Sequence, residues 1–136
     1  MKLASELGLD LALRGHEIDE HCFSPTGYSF NAIRGVGYTT LHVTPDRPGS
    51  YVSFETNVTD FHEHLSELVT EVVALFEPES FDVVSFEPRP TPIEVAVPGY
   101  TLRKRVREPL CGYHVTFEHF FRQDLRPTRA FEIDLG

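Results

Sequence analysis

The stretch YTTLHVTPDRPGSYVSFET, residues 38–56, decides the fold. Residues 38–44 and 50–56 alternate polar and apolar side chains, which is the pattern of strands with one buried face. Two prolines and a glycine between them favour a tight turn, so the stretch predicts an antiparallel hairpin. One face of the first strand carries Leu41, and the opposite face carries His42.

A helix is predicted directly after the hairpin, at 60–76. Its apolar residues recur every three or four positions, which is the period of one helix face. They are Phe61, Leu65, Leu68, Val69, Val72, Val73 and Phe76. Thr59 or Asp60 can cap the start of this helix, and Pro78 ends it. We expect this helix to cover one face of the antiparallel sheet.

The rest of the chain adds shorter elements of the same two kinds. A helix is predicted at 2–13, and strands are predicted at 17–23, 81–86, 93–97 and 111–121. Residues 100–107 fit a strand or a helix equally well. We therefore expect one α+β domain over 1–136, an antiparallel sheet covered by helices on one face.

Composition limits the class of partner and the compartment. With 21 acidic and 12 basic residues the formal net charge is −9, which argues against a nucleic-acid backbone as the main partner. Two cysteines, Cys22 and Cys111, are typical of reduced thiols in a cytosolic protein. No apolar run reaches membrane-spanning length, and acidic residues interrupt the amino terminus, so we expect a cytoplasmic protein without a membrane partner.

Four residues near the hairpin are candidates for chemistry: Phe23, Ser29, His42 and Asp46. A neutral imidazole can transfer protons near pH 7, and a carboxylate can bind a pair of hydroxyls. Single Ser, His and Asp residues near strand ends are also common in proteins without a site, so these residues alone leave a purely structural role open.

Two other charged clusters give weaker evidence of a functional site. His62 and His64, two residues apart on the predicted helix, do not share a face, and we expect no metal site. The basic run at 103–107 is typical of a solvated strand edge, or of a guard against edge pairing.

Three motifs follow one another within 35 residues: FSPTGYSFN at 23–31, TLHVTPD at 40–46 and SYVSFETN at 50–57. They resemble, in the same order, the F-x-P-C-G-Y-S-M-N, T-I-H-I-T-P-E and S-Y-V-S-F-E-T-N motifs of eukaryotic-type S-adenosylmethionine decarboxylases. Weaker similarity continues to 115–121. The resemblance is to the carboxy-terminal half of that family alone.

The resemblance implies a fold and a cofactor. Family members pack two related halves into an αββα sandwich, so this chain is expected to be one half of it. Their pyruvoyl group, the electron sink for loss of carbon dioxide, arises by self-cleavage at a serine of the amino-terminal half. Glu79 and Ser80 echo that cleavage sequence, but they stand where the second half has an ordinary strand. No cofactor is expected from this chain, and the pyruvoyl group is expected only from a partner chain.

The resemblance also implies roles for five residues. Phe23 corresponds to a ring that stacks on adenine, and Ser29 and His42 correspond to a pair that assists self-processing and proton transfer. Asp46 stands where the family has a longer Glu that binds the ribose hydroxyls. Glu55 matches an acidic residue near a buried site where some members bind putrescine as an activator.

Three functions stay open at this stage. The chain can supply half of a decarboxylase active site for polyamine and spermidine biosynthesis, completed by a partner subunit with the pyruvoyl group. It can be a non-catalytic activating subunit of a full decarboxylase. It can also be a homodimer that binds S-adenosylmethionine or a related nucleoside and has another activity. In each case we expect one sheet face to be buried in a homodimer or heterodimer interface.

Overall fold

The structure is a computed structural model that describes residues 13–58, 64–88 and 93–124. The chain divides into two compact units, Met1–Glu77 and Pro78–Gly136, and each unit is described by itself. The single domain expected over 1–136 stays a prediction. The helix predicted at 2–13, except for its last residue, and the expected capping residues Thr59 and Asp60 lie outside the described residues.

The first unit contains a four-stranded antiparallel sheet. Its strands lie in chain order: β1 (Glu17–Cys22), β2 (Tyr28–Arg34), β3 (Gly37–Thr44) and β4 (Tyr51–Thr56). The hairpin predicted from 38–56 is confirmed as β3 and β4, and the strand predicted at 17–23 is β1. β2 is an addition to the predicted strands, and a turn at Gly35 and Val36 joins it to β3.

The predicted helix is described as α1 (Leu65–Phe76), and it packs on one face of this sheet. Phe30, Ala32 and Leu41 are fully buried there, together with Leu68 of α1. Leu41 thus lies on the helix side of β3 and His42 on the other side, and the prediction that these two residues face opposite sides is confirmed. The helix ends at Glu77, whose backbone N–H donates to the Val73 carbonyl.

Tyr28 brings one ionisable group into this core. Its hydroxyl donates to Glu20 Oε2 at 3.0 Å. Burial, and then the hydrogen bond to Glu20, raise the pKa of Tyr28 above its ordinary value. The folded state thus holds this proton more tightly than the unfolded state. Its contribution to stability is complete below about pH 10 and is lost as the pH rises from there towards the raised value.

We expect Tyr28→Phe to flatten the alkaline decline in the free energy of unfolding, because the variant has no proton to lose at this position. At about pH 8 it should cost about 1 kcal/mol for the missing hydrogen bond. Urea denaturation at about pH 8 and about pH 11 measures both effects, with Tyr51→Phe, an exposed tyrosine of the same sheet, as the control. An alkaline decline as steep as that of the unmodified protein would contradict the assignment.

The second unit contains a three-stranded antiparallel sheet. Its strands are β5 (Ser80–Glu87), β6 (Tyr100–Leu110) and β7 (Tyr113–Arg122), in the order β5-β7-β6. The strand predicted at 81–86 is confirmed as β5, and the segment that fitted a strand or a helix is a strand. The strand predicted at 111–121 begins only at Tyr113, because Cys111 and Gly112 have φ of 50° and 84° and form the hairpin turn.

The strand predicted at 93–97 is wrong. Those residues lie outside the described strands. One side of this segment is buried, through Val95 and Val97, and the other side is exposed, through Glu94 and Ala96. The alternation in the sequence therefore reflects burial of one side and not pairing with another strand. The physical reason is local: the Ile93 backbone N–H donates to the Glu87 side chain at 3.4 Å instead of to a neighbouring strand.

The basic run lies on β6, an outer strand of the three-stranded sheet, as the sequence predicts for a strand edge. Arg105 departs from that expectation. Its Nε and Nη2 donate to Glu118 Oε1 at 2.8 and 2.7 Å, and Glu118 is only 1% exposed. The pairing with β7 is regular except for a bulge between Leu102 and Lys104, which adds Arg103 to the strand.

Candidate active site

The face of the first sheet opposite α1, called here the site face, carries two of the predicted residues side by side. Ser29 on β2 is the direct cross-strand partner of His42 on β3. Directly opposite side chains in an antiparallel pair have Cβ atoms about 4.5–5.5 Å apart, so a hydroxyl and an imidazole lie within mutual reach. The register that buries Phe30 and Leu41 against α1 also places Ser29 and His42 together.

The same row continues to both edges of the sheet. His21 on β1 is opposite Ser29, and Ser53 on β4 is opposite His42. Ser29 is only 8% exposed, whereas His21 and His42 are exposed on either side of its short side chain. The row therefore offers two imidazoles and two hydroxyls across four strands, with Ser29 between the two imidazoles.

Phe23 stands at the end of the sheet next to this row. Its backbone N–H donates to the Gly27 carbonyl at 2.9 Å, which closes the turn between β1 and β2. Its ring is 52% exposed and meets the His21 ring edge-on, with centroids 4.5 Å apart. Gly27 has φ of 128°, a backbone conformation that residues with a Cβ rarely adopt, which explains the glycine in this turn.

Asp46 lies at the same end of the sheet, two residues beyond the end of β3. Its Oδ1 accepts a hydrogen bond from the Arg47 backbone N–H at 2.7 Å, and the residue is exposed. β1 and β3 run in the same direction, so Phe23 and Asp46 follow their strands at the same end of the sheet. His21 lies on the strand before Phe23, and His42 lies on the strand before Asp46.

Glu55 is on the site face but outside this row. It is opposite Thr40, two residues further along β4 than Ser53. Asn31 and Asp19 complete that second row on β2 and β1. Glu17, Asp19 and Glu55 are exposed carboxylates of the site face, and none of its described strand residues is Lys or Arg. The electrostatic character of the face favours a cationic ligand.

Sequence reasoning missed His21, Ser53 and Asp19. The alternation of β4 could have placed Ser53 beside His42, since both hairpin strands were identified. The positions of His21 and Asp19 on the site face depend on the register between β1 and β2. The turn at 24–27 sets that register, and the length of the turn cannot be read from the sequence.

Residues 13–58, 64–88 and 93–124 include no group of three or more His, Cys, Asp or Glu side chains placed to hold a metal ion. In the same ranges, no helix has the length and apolar character needed to cross a membrane.

Comparison with known proteins identifies the class to which this fold and face belong. A family model described as adenosylmethionine decarboxylase matches residues 1–121. The chain therefore belongs to the adenosylmethionine decarboxylase family. The α+β sandwich fold is confirmed by similarity to the crystal structure of the Trypanosoma brucei AdoMetDC-delta26 monomer, with a TM-score of 0.74 and 25% identity over 89% of this chain.

Curated relatives show the same membership at the level of sequence. The chain is 39% identical over 112 residues to S-adenosylmethionine decarboxylase proenzyme 1 of Arabidopsis thaliana, covering 76% of this chain. It is 42% identical over 80 residues to the proenzyme of Drosophila melanogaster, covering 58% of this chain. These matches span 30% and 22% of the two relatives, and 52% of the Trypanosoma chain. This chain thus corresponds to part of the proteins that it resembles.

Proposed function

We propose that this chain supplies one side of an S-adenosylmethionine decarboxylase active site and that a partner chain supplies the pyruvoyl group. The reaction would be the loss of carbon dioxide from S-adenosylmethionine in polyamine biosynthesis. The observation that carries the proposal is the direct pairing of Ser29 with His42 on an exposed sheet face, beside the exposed ring of Phe23.

Each side chain has a role that its position supports. The exposed Phe23 ring offers a flat surface for stacking on the adenine, with its edge contact to His21 limiting the orientations of the ring. The Asp46 carboxylate accepts one backbone hydrogen bond at Oδ1 and keeps Oδ2 for the ribose hydroxyls. His42 would move a proton at Nδ1 or Nε2, and Ser29 would hold it through its hydroxyl.

The charge of the ligand agrees with the charge of the face. S-adenosylmethionine carries a sulfonium centre, and a cationic group near carboxylates and away from Lys and Arg is electrostatically favoured. Glu55, Asp19 and Glu17 supply those carboxylates. This complementarity supports S-adenosylmethionine over an anionic nucleotide, whose phosphates would be repelled.

The pyruvoyl group does not fit the described serine that echoes a cleavage site. Ser80 begins β5 and pairs with Phe121, and the Glu79 carbonyl accepts a hydrogen bond from the Arg122 backbone N–H at 2.9 Å. Both residues of this bond are thus held to β7, which leaves the bond poorly placed for self-cleavage. We therefore propose that the group, which supplies the electron sink for decarboxylation when present, comes from a partner chain.

Titration of the chain with S-adenosylmethionine in a calorimeter tests the ligand site. We expect binding that weakens about 5- to 13-fold in Phe23→Ala and in Asp46→Ala, because stacking and hydroxyl recognition are each worth about 1–1.5 kcal/mol. Val36→Ala, at a fully exposed turn of the same sheet, is the control and should bind like the unmodified chain. Equal affinity of all four proteins would show that the ligand binds elsewhere.

The partner contribution has a separate test. The chain is mixed with the amino-terminal half of the Arabidopsis thaliana proenzyme 1, and release of carbon dioxide from S-adenosylmethionine is measured. Turnover by the mixture that falls in His42→Ala, while Val36→Ala stays active, supports the proposal. Binding of S-adenosylmethionine with no turnover in any mixture would leave the ligand site standing and argue against a shared active site.

A further inference from the structure

His21 is an exposed imidazole of the site face that touches both parts of the proposed active site. It is directly opposite Ser29, the cross-strand partner of His42. Its ring also meets the Phe23 ring at an interplanar angle of 70°, with centroids 4.5 Å apart. Residues two apart on an extended chain are separated by about 6.6 Å, so the two rings lean towards each other. His21 is therefore a neighbour of the stacking ring and of the pair proposed for proton transfer.

The Phe23 ring lies beyond the end of β1 and is half-exposed, so its neighbours decide how well it is ordered. The turn backbone is one neighbour, because a Cβ at Gly27 would lie 3.5 Å from Phe23 Cδ2. The His21 ring is another. A half-exposed phenyl ring can occupy several rotamers, and ordering it costs free energy when a ligand binds. An edge-on aromatic contact favours one arrangement about 2- to 13-fold, which reduces that cost.

We propose that His21 is a positioning residue for nucleoside recognition, whose ring holds the Phe23 ring in its stacking orientation before the ligand binds. The inference deepens the proposed function and rests on it for the identity of the ligand. It assigns to His21 no contact with the ligand and no proton transfer. The ligand class that this arrangement favours is a flat heteroaromatic ring, because an ordered phenyl ring loses little further freedom when such a ring stacks on it.

His21 has two chemical features that substitutions can separate. Its flat ring contacts Phe23, and its ring nitrogens lie across the strand pair from the Ser29 hydroxyl, with which they can form a hydrogen bond. Phenylalanine keeps the flat ring and loses the nitrogens, whereas asparagine keeps polar atoms and loses the ring. The proposal requires the ring, so His21→Phe should preserve the effect of His21 and His21→Asn should abolish it.

The first measurement needs no ligand. Scalar couplings between Phe23 Cγ and the backbone, measured by NMR on the isotope-labelled full chain, report the χ1 angle of the side chain. We expect couplings dominated by one rotamer in the unmodified chain and in His21→Phe, and averaged couplings in His21→Ala and His21→Asn. His114→Ala, which removes an exposed histidine of β7, is the control and should leave the couplings unchanged.

The second measurement is calorimetric titration of the same variants with S-adenosylmethionine. His21→Ala and His21→Asn should bind about 2- to 13-fold more weakly than the unmodified chain, and His21→Phe should regain the lost affinity. The double variant His21→Ala/Phe23→Ala should bind within about twofold of Phe23→Ala alone, because His21 acts through a ring that is no longer present. His114→Ala should bind like the unmodified chain.

Three outcomes would overturn the inference. Phe23 couplings that stay the same in His21→Ala would mean that other contacts hold the ring. Rescue by His21→Asn and not by His21→Phe would assign the effect to a hydrogen bond with Ser29. Averaged couplings in His21→Ala with unchanged affinity would mean that the orientation of the ring is not used in recognition.

Failure of the proposed function gives a different result. An unmodified chain that binds no S-adenosylmethionine would contradict the proposed ligand site. Averaged Phe23 couplings in His21→Ala, restored in His21→Phe, would in that case still support the positioning role of His21.

Discussion

Phe30→Ala is expected to lower the free energy of unfolding by about 3–5 kcal/mol, a large part of what holds a domain of this size together. Phe30 is fully buried in the centre of β2, where its ring contacts Tyr28 edge-on and lies among the residues that pack on α1. Truncation removes the ring from the core and leaves a cavity that the sheet cannot close by local collapse.

Ile33→Ala is the matched control for this prediction. Ile33 lies on the same strand, on the opposite face, and is 56% exposed, so its truncation should change stability by no more than about 0.5 kcal/mol. Urea denaturation followed by far-ultraviolet circular dichroism compares the two variants. Similar losses in both would mean that β2 does not bury one face against α1.

Arg105→Ala is expected to cost about 3–5 kcal/mol in the second unit. Glu118 is 1% exposed, and the guanidinium of Arg105 meets its Oε1 at 2.7 and 2.8 Å. Without Arg105 the carboxylate must stay charged in a buried site or take up a proton, and both cost free energy. The loss reflects the unpartnered Glu118 rather than the net worth of the ion pair.

Two variants separate these causes. Arg107→Ala removes an exposed arginine from the same side of the same strand and should leave the unfolding free energy within about 0.5 kcal/mol. Arg105→Met combined with Glu118→Leu removes both charges, and should recover most of the stability lost by Arg105→Ala. If the double variant is as unstable as Arg105→Ala, the loss comes from packing and not from an isolated charge.

The sequence predicted those parts of the fold whose signal is local. Alternation in 38–44 and 50–56 and the helical stripe of 60–76 gave the hairpin and the helix, because each pattern reports a buried face directly. The segment 93–97 shows the limit of that signal. Its alternation was real, but a buried face does not require a neighbouring strand, and the Ile93 backbone bonds to a side chain instead.

The candidate site was predictable in its residue types and less so in its geometry. The motifs around Ser29 and His42 pointed to the two residues, and the structure places them opposite each other. Their neighbour His21 could not be found, since its place in the row depends on long-range register. Arg105 was grouped with an exposed basic run, because nothing local indicates that Glu118, thirteen residues later, would be buried beside it.

The bulge at Arg103 has a consequence for the evolution of chain length. Leu102 and Arg105 lie on one side of β6 although three positions separate them. In a regular strand an odd separation would place them on opposite sides, and the extra residue in the bulge removes that difference. Removing Arg103 would restore simple alternation and leave Leu102 opposite Phe120 and Arg105 opposite Glu118. The sheet can therefore gain or lose a residue here without disturbing the pairing on either side, and the guanidinium of Arg103, 5.2 Å from the centre of the Phe121 ring, gives the extra position a contact of its own.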